Sequence, residues 1–183
     1  MALWVVLGVL VVVILYVIGL YNSLVRLRVG ADEAWSGIDT QLKRRHDLIP
    51  NLVETVKGYA AHERGVFERV TEARSRAMAA TTPAQAAQAE GMLTQALRGL
   101  YAVAENYPEL KANQNFMALQ HTLGETENAI AGSRQRYNAT VQDLNTRIAT
   151  VPTNILAGMF NFKPRDFFVI EDAGERAVPQ VRF

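Results

Sequence analysis

The chain has 183 residues, with 19 Lys and Arg against 18 Asp and Glu, and a formal net charge of +1. That length holds one compact domain and an anchor. The balanced charge, without a basic stripe of interleaved aromatics, excludes an electrostatic nucleic-acid binder, and the absence of cysteine excludes disulfides, thiolate metal sites, a cysteine nucleophile and a lipidated cysteine.

The mean hydropathy is near zero, but it averages two unlike parts. Residues 1–23 carry no charged side chain, and residues 3–20 are almost continuous Val, Leu and Ile. About 20 apolar residues match the ~30 Å hydrocarbon core of a bilayer. Trp4 and Tyr21 lie about 26 Å apart on a helix, suited to the two aromatic belts of the interface. A cleaved signal peptide needs a basic leading region and a small-residue cleavage site, and neither is present around Tyr21-Asn22-Ser23. Residues 1–23 are therefore expected to be a retained transmembrane anchor. Arg26 and Arg28 follow it directly, and the positive-inside bias places the following domain in the cytoplasm.

From Leu24 onward the apolar period becomes helical. Leu24, Leu27, Ala31, Trp35, Ile38, Leu42, Ile49, Val53, Val56 and Ala60 fall at steps of three, four or seven, one stripe of a long helix over about 24–58. Pro50 lies inside this pattern, where it removes a backbone donor and clashes with the carbonyl of His46. Because the stripe resumes at once, a kink is expected there. A second helix spans about 62–80 through Val66, Val70, Ala73 and Ala77. A third, over about 83–106, opens on Thr82-Pro83-Ala84-Gln85, with Thr at N-cap, Pro at N1 and Gln placed for a capping box. The fourth, over about 110–151, carries the most regular stripe, from Phe116 to Val151, and Pro152 ends it.

Four amphipathic stripes without alternating strand-like runs predict an all-α fold: a transmembrane helix, then an antiparallel four-helix bundle over residues 24–151. Residues 152–183 form an irregular apolar tail, with Phe160, Phe162, Phe167 and Phe168 as candidate docking side chains. That tail is too aromatic to be a solvated linker, so it packs on the bundle or against the membrane surface.

Little in the chain points to catalysis. His62-Glu63 lacks the second histidine of a zincin helix, since position 66 is Val66. His121 and Glu125 share a helix face at i,i+4, at most half of a metal site. No nucleophile elbow, phosphate-binding glycine loop or Ser-x-x-Lys is present, so neither an enzyme nor a bound cofactor is expected. The densest polar group is Lys43, Arg44, Arg45, Asp47 and Asn51 around Pro50, read either as a surface for lipid head groups or an acidic partner or as a solvated helix face.

The runs Tyr21-Asn22-Ser23-Leu24-Val25, Ala34-Trp35-Ser36-Gly37-Ile38-Asp39, and Arg44-Arg45-His46-Asp47-Leu48-Ile49-Pro50-Asn51-Leu52-Val53-Glu54-Thr55-Val56-Lys57-Gly58-Tyr59 resemble the LemA family of bacterial membrane proteins. So does the tail Val151-Pro152-Thr153-Asn154-Ile155-Leu156-Ala157-Gly158-Met159-Phe160-Asn161-Phe162-Lys163-Pro164. The resemblance covers essentially the whole chain. It implies a bacterial inner-membrane, single-pass protein with a four-helix bundle, and no established catalytic residues. Family members are often encoded beside membrane proteins, including heat-shock zinc metalloproteases, and relatives occur among proteins needed to form magnetosome membranes. The resulting expectation is a scaffold or adaptor that self-associates or docks envelope machinery such as a membrane protease. The alternative is a protein that shapes the bilayer itself.

Overall fold

A computed structural model describes residues 1–170. Their regular structure is all helical, with no strand among them. The helices are α1 (Ala2–Lys57), α2 (Arg64–Met78), α3 (Pro83–Glu105), α4 (Pro108–Lys111), α5 (Gln114–Ala149) and α6 (Thr153–Met159). The apolar N-terminal stretch and the first amphipathic stripe are one helix. No Gly-Pro break separates them, and the helix continues from Ala2 past Pro50 to Lys57. Its apolar part is the one described helix segment long and apolar enough to cross a membrane, and its side chains are exposed.

The helix starts are set by local chemistry. At α3, Thr82 Oγ1 accepts from the Gln85 amide at 3.2 Å, the first arm of a capping box. The second arm falls one residue earlier: Gln85 Oε1 accepts from the backbone N–H of Thr81 at 3.1 Å. Pro108 stands in the first turn of the one-turn helix α4. Asn113 Oδ1 then accepts from the amides of Asn115 and Phe116 at 2.9 and 3.1 Å. This cap is why α5 begins at Gln114 and not near residue 110.

Residues 152–159 depart from the irregular tail expected. Thr153, Leu156 and Ala157 form the buried face of α6, a helix closed by a Schellman motif. Asn161 adopts φ 55°, the Phe162 amide donates to the Ala157 carbonyl at 2.9 Å, and the Asn161 amide donates to the Gly158 carbonyl at 3.4 Å. Phe162 and Ala157 also share one apolar cluster with Leu24, the hydrophobic contact that accompanies this motif. Asparagine, not glycine, supplies the left-handed residue.

The chain divides into two compact units. One comprises Met1–Gly37 and Gln135–Asp166. Within it α5 runs antiparallel to α1: the Trp35 ring lies 5.4 Å from that of Tyr137, a β-carbon on Gly30 would meet Thr140 at 3.7 Å, and Val25 and Ile148 flank the Leu24 cluster. The chain after α6 is fastened here by side chains that satisfy its backbone. Asn145 Nδ2 donates to the Arg165 carbonyl and Asn145 Oδ1 accepts from the Arg165 amide, each at 2.9 Å. Tyr137 Oη donates to the Asp166 carbonyl at 2.9 Å, and Arg165 pairs with Asp32 at 2.5 Å.

The other unit comprises, among the described residues, 38–134 and 167–170. Its core joins Ile49, Leu52, Val53 and Val56 of α1 to Phe67 and Val70 of α2, Leu93, Leu97 and Leu100 of α3, and Phe116 and Leu123 of α5. Phe168 is fully buried, whereas Phe167 is largely exposed. The expectations that concern residues 171–183 lie outside the described residues.

Candidate functional site

The stripe of α1 steps by seven residues from Leu42 to Ile49. One helical turn of core is therefore occupied by something other than an apolar side chain. Arg45 and His46 fill that gap: Arg45 is 2% exposed and His46 6%. Both turn inward because positions 45 and 46 stand three and four residues from Leu42 and from Ile49, on the same helix face.

Burying a cation is costly unless it is paired and hydrogen-bonded, and α3 supplies the pairing. Glu90, 1% exposed, accepts at one carboxylate oxygen from Arg45 Nη1 at 2.9 Å. Its other oxygen lies 2.6 Å from His46 Nε2. An ionised carboxylate only accepts, so the hydrogen of that bond sits on Nε2. Arg45 Nη2 reaches Thr94 Oγ1, one turn beyond Glu90 on α3, at 3.0 Å, and Glu127 Oε1 on α5 at 3.1 Å. One guanidinium thus ties three helices together.

Two buried side-chain atoms in this region have no partner, Gln41 Oε1 and Arg45 Nε. They are an acceptor and a donor one helical turn apart. Tyr101 titrates within reach of the same charges. Burial pushes its phenol above 10.0, the Glu127 carboxylate adds to the rise, and Arg45 opposes it.

The fourth contributor comes from α2. Pro50 has no amide hydrogen, so the carbonyl of His46, four residues earlier, loses its helical donor. Arg74 Nε donates to that carbonyl at 2.7 Å. The proline is thus accommodated by a side chain from a neighbouring helix, and its own ring is exposed.

Of the residues read as a partner or lipid surface, Lys43, Arg44, Asp47 and Asn51 are exposed, but Arg45 is not. Arg45 leaves that group because its charge is consumed by Glu90 and Glu127. The remaining four lie with Pro50 on the outward side of α1. Trp4 is exposed within the apolar stretch, Tyr21 stands at its end, and Arg26 and Arg28 are exposed after it. Phe160 and Phe162 pack on Tyr21 with ring centroids at 4.9 and 5.9 Å. His121 lies 3.8 Å from Glu125, both well exposed, so that pair is a surface contact. Among the described residues no three potential ligands converge on a metal position.

Sequence reasoning missed Glu90, Thr94, Arg74 and Glu127. A signal existed for Glu90, a carboxylate standing on the stripe of Ala86, Ala89 and Leu93. A lone acid on a buried stripe demands a buried cation or donor, and the seven-residue gap on α1 is where that cation lies. Thr94 follows as the next turn of α3. Arg74 and Glu127 carried no such mark, because exposed charge on α2 and α5 is ordinary.

In this centre both oxygens of Glu90 are occupied and Arg45 is enclosed. What it can do is fix which turn of α1 meets which turn of α3 and α5, since a slip in register would strand a buried charge.

The chain is similar to known proteins over most of its length. Magnetosome protein MamQ 2 of Paramagnetospirillum magneticum is 26% identical over 184 residues, covering 86% of this chain and 68% of its own. Magnetosome protein MamQ of Magnetospirillum gryphiswaldense is 24% identical over 189 residues, covering 88% of this chain and 70% of its own. Protein LemA of Metamycoplasma hominis is 25% identical over 144 residues, covering 76% of this chain and 64% of its own. The model of the LemA family matches residues 34–183, a span that holds the Arg45–Glu90 centre, the Pro50 turn and the Schellman-capped α6, and on that match the chain belongs to the LemA family.

Proposed function

We propose that this protein is a membrane-anchored, non-enzymatic scaffold or adaptor, which self-associates or docks envelope machinery such as a membrane metalloprotease. The observation that carries the reading is the Arg45–Glu90–His46 centre. Its buried bonds run from α1 to α3, and they tie helices together. The exposed row Lys43, Arg44, Asp47 and Asn51 is left for a partner. The charge balance and the absence of cysteine favour neither nucleic acid nor redox chemistry.

In this reading the apolar part of α1 crosses the bacterial inner membrane once. The four long amphipathic stripes close into an antiparallel bundle in the cytoplasm, on the side that Arg26 and Arg28 select. The tail docking of Phe160, Phe162, Phe167 and Phe168 belongs to the same proposal, as do the interface roles of Trp4 and Tyr21.

A second reading is favoured by the likeness to magnetosome proteins: the protein shapes the bilayer directly. Sedimentation of the purified chain with and without liposomes separates the two. A discrete complex and unchanged vesicles support the scaffold; deformed vesicles in the absence of any partner overturn it in favour of shaping.

A further inference from the structure

We infer that α6 is a second membrane contact, an apolar elbow that enters the interfacial layer of the bilayer beside the transmembrane helix. The inference rests on the proposed crossing by the apolar part of α1 and goes beyond it.

The level of α6 is set by its neighbours on α1. The apolar stretch ends at Leu20, and the Tyr21 ring stands edge-on to Phe160 at 4.9 Å. At the other end of α6, the last turn of α5 reaches the same height, because Ile148 packs with Val25 around Leu24. Both ends of α6 therefore lie beside residues 21–25. Only beyond α6 does the chain leave this level. Phe162 lies on Tyr21 and under the Arg28 guanidinium at 5.2 Å, and Arg165 pairs with Asp32. From Tyr21 to Asp32 an α-helix rises about 17 Å, and the contacts made by Phe162 and then Arg165 of the segment after α6 follow α1 in that order. The segment thus runs parallel to α1, away from the apolar stretch, and α6 is what remains at the end nearest the bilayer.

The composition of α6 suits that place. Thr153, Leu156 and Ala157 are buried, so the inward face is already covered. The outward face is also apolar: Val151 is 79% exposed, Ile155 61%, Met159 72% and Phe160 52%. Ile155 and Met159 stand four residues apart on α6, so they project together. A water-facing cluster of four large apolar side chains calls for a covering phase. Continuity with the Tyr21 end of the span names that phase as the bilayer interface. Exposed Arg26, Arg28 and Lys163 stand just beyond, where long cationic side chains reach lipid head groups while their stems lie on apolar surface.

The chain has no cysteine, so a single introduced thiol can carry a nitroxide label in the full-length protein. The test places labels at Ile155→Cys and Met159→Cys, with Val9→Cys inside the span and Gln142→Cys on the exposed face of α5 as references. Each protein is reconstituted into phosphatidylethanolamine–phosphatidylglycerol liposomes. The readout is collision with oxygen, which partitions into hydrocarbon, against collision with a water-soluble nickel chelate.

The expected result is an oxygen-favoured signal at Ile155 and Met159, intermediate between Val9 and Gln142. Nickel-favoured labels at 155 and 159 with an oxygen-favoured Val9 would overturn the elbow and leave the span intact. A nickel-favoured Val9 would overturn the span and the elbow together. Labels at 155 and 159 shielded from both reagents would mean that protein, whether a second copy or another chain, covers α6, and would overturn the lipid contact.

Discussion

Arg74 Nε lies 2.7 Å from the carbonyl oxygen of His46, the acceptor that Pro50 deprives of its helical donor. A proline inside a helix ordinarily costs ~3 kcal/mol or more. Here one part of that cost, the orphaned carbonyl, is offset by a charge-assisted hydrogen bond from another helix. The two residues are therefore coupled although their side chains do not pair with each other.

Arg74→Ala is expected to lower stability by about 1–3 kcal/mol, the range for a partly buried acceptor left without a partner. In a Pro50→Ala background the restored amide at position 50 serves the same carbonyl, and the cost of Arg74→Ala should fall. Urea denaturation of the two single variants and the double variant measures this coupling. Strict additivity would mean that Arg74 acts through something other than the proline. Pro50→Ala alone is expected to maintain or raise stability.

Removing one member of the buried centre should be severe. Glu90→Ala leaves Arg45 charged, buried and bonded only to Thr94 and to Glu127, whose side chain is half exposed. A loss of about 3–5 kcal/mol is expected for an uncompensated buried charge. Replacing both partners, Arg45→Met with Glu90→Leu, should cost less than Glu90→Ala alone. Thermal and urea unfolding followed by circular dichroism decide the order of the two.

Alkaline pH should loosen the fastening of the segment after α6. Burial pushes the Tyr137 phenol above 10.0; Arg165 opposes this, and Asp166 and Asp32 reinforce it. A raised folded-state value means that the folded protein holds the phenolic proton more tightly than the unfolded chain does. Its contribution is therefore complete below about pH 10 and lost as pH rises through the folded value. The phenolate also cannot donate to the Asp166 carbonyl. Tyr137→Phe should cost about 1 kcal/mol at neutral pH and flatten the decline above pH 10, as read from melting temperature across that range.

How far the residues alone disclose this protein depends on which interactions leave a periodic trace. The apolar run of residues 3–20, the stripe from Leu24 and the Thr82-Pro83 start of α3 are local patterns, and the helical character of the chain follows from them. The Arg45–Glu90 pair was only half visible: the seven-residue step on α1 and the acid on the α3 stripe mark two vacancies, but nothing in the sequence joins residue 45 to residue 90. Pairing across 45 residues is a product of packing. α6 was missed because its C-terminal stop is an asparagine at positive φ following a glycine that does not take that conformation. The Arg74 donor was invisible for a simpler reason: a surface-type arginine became a backbone ligand only once α2 lay against α1.

The proposed direction of the chain in the membrane rests on Arg26 and Arg28. A reporter enzyme fused after Phe183 is expected to be active in its cytoplasmic form and silent in its periplasmic form; the reverse pattern would overturn the cytoplasmic assignment.

The proposed docking role is tested most directly by photocrosslinking in native membranes. A photoreactive amino acid at Arg44 or Asn51, on the exposed face of α1, is compared with one at Gln88, an exposed position on α3, and the adducts are identified by mass spectrometry. A scaffold or adaptor predicts discrete protein adducts, to a second copy or to a recurring membrane partner, that are strong from 44 and 51 and weak from 88. Adducts to lipid alone, or none from either position on α1, would contradict it.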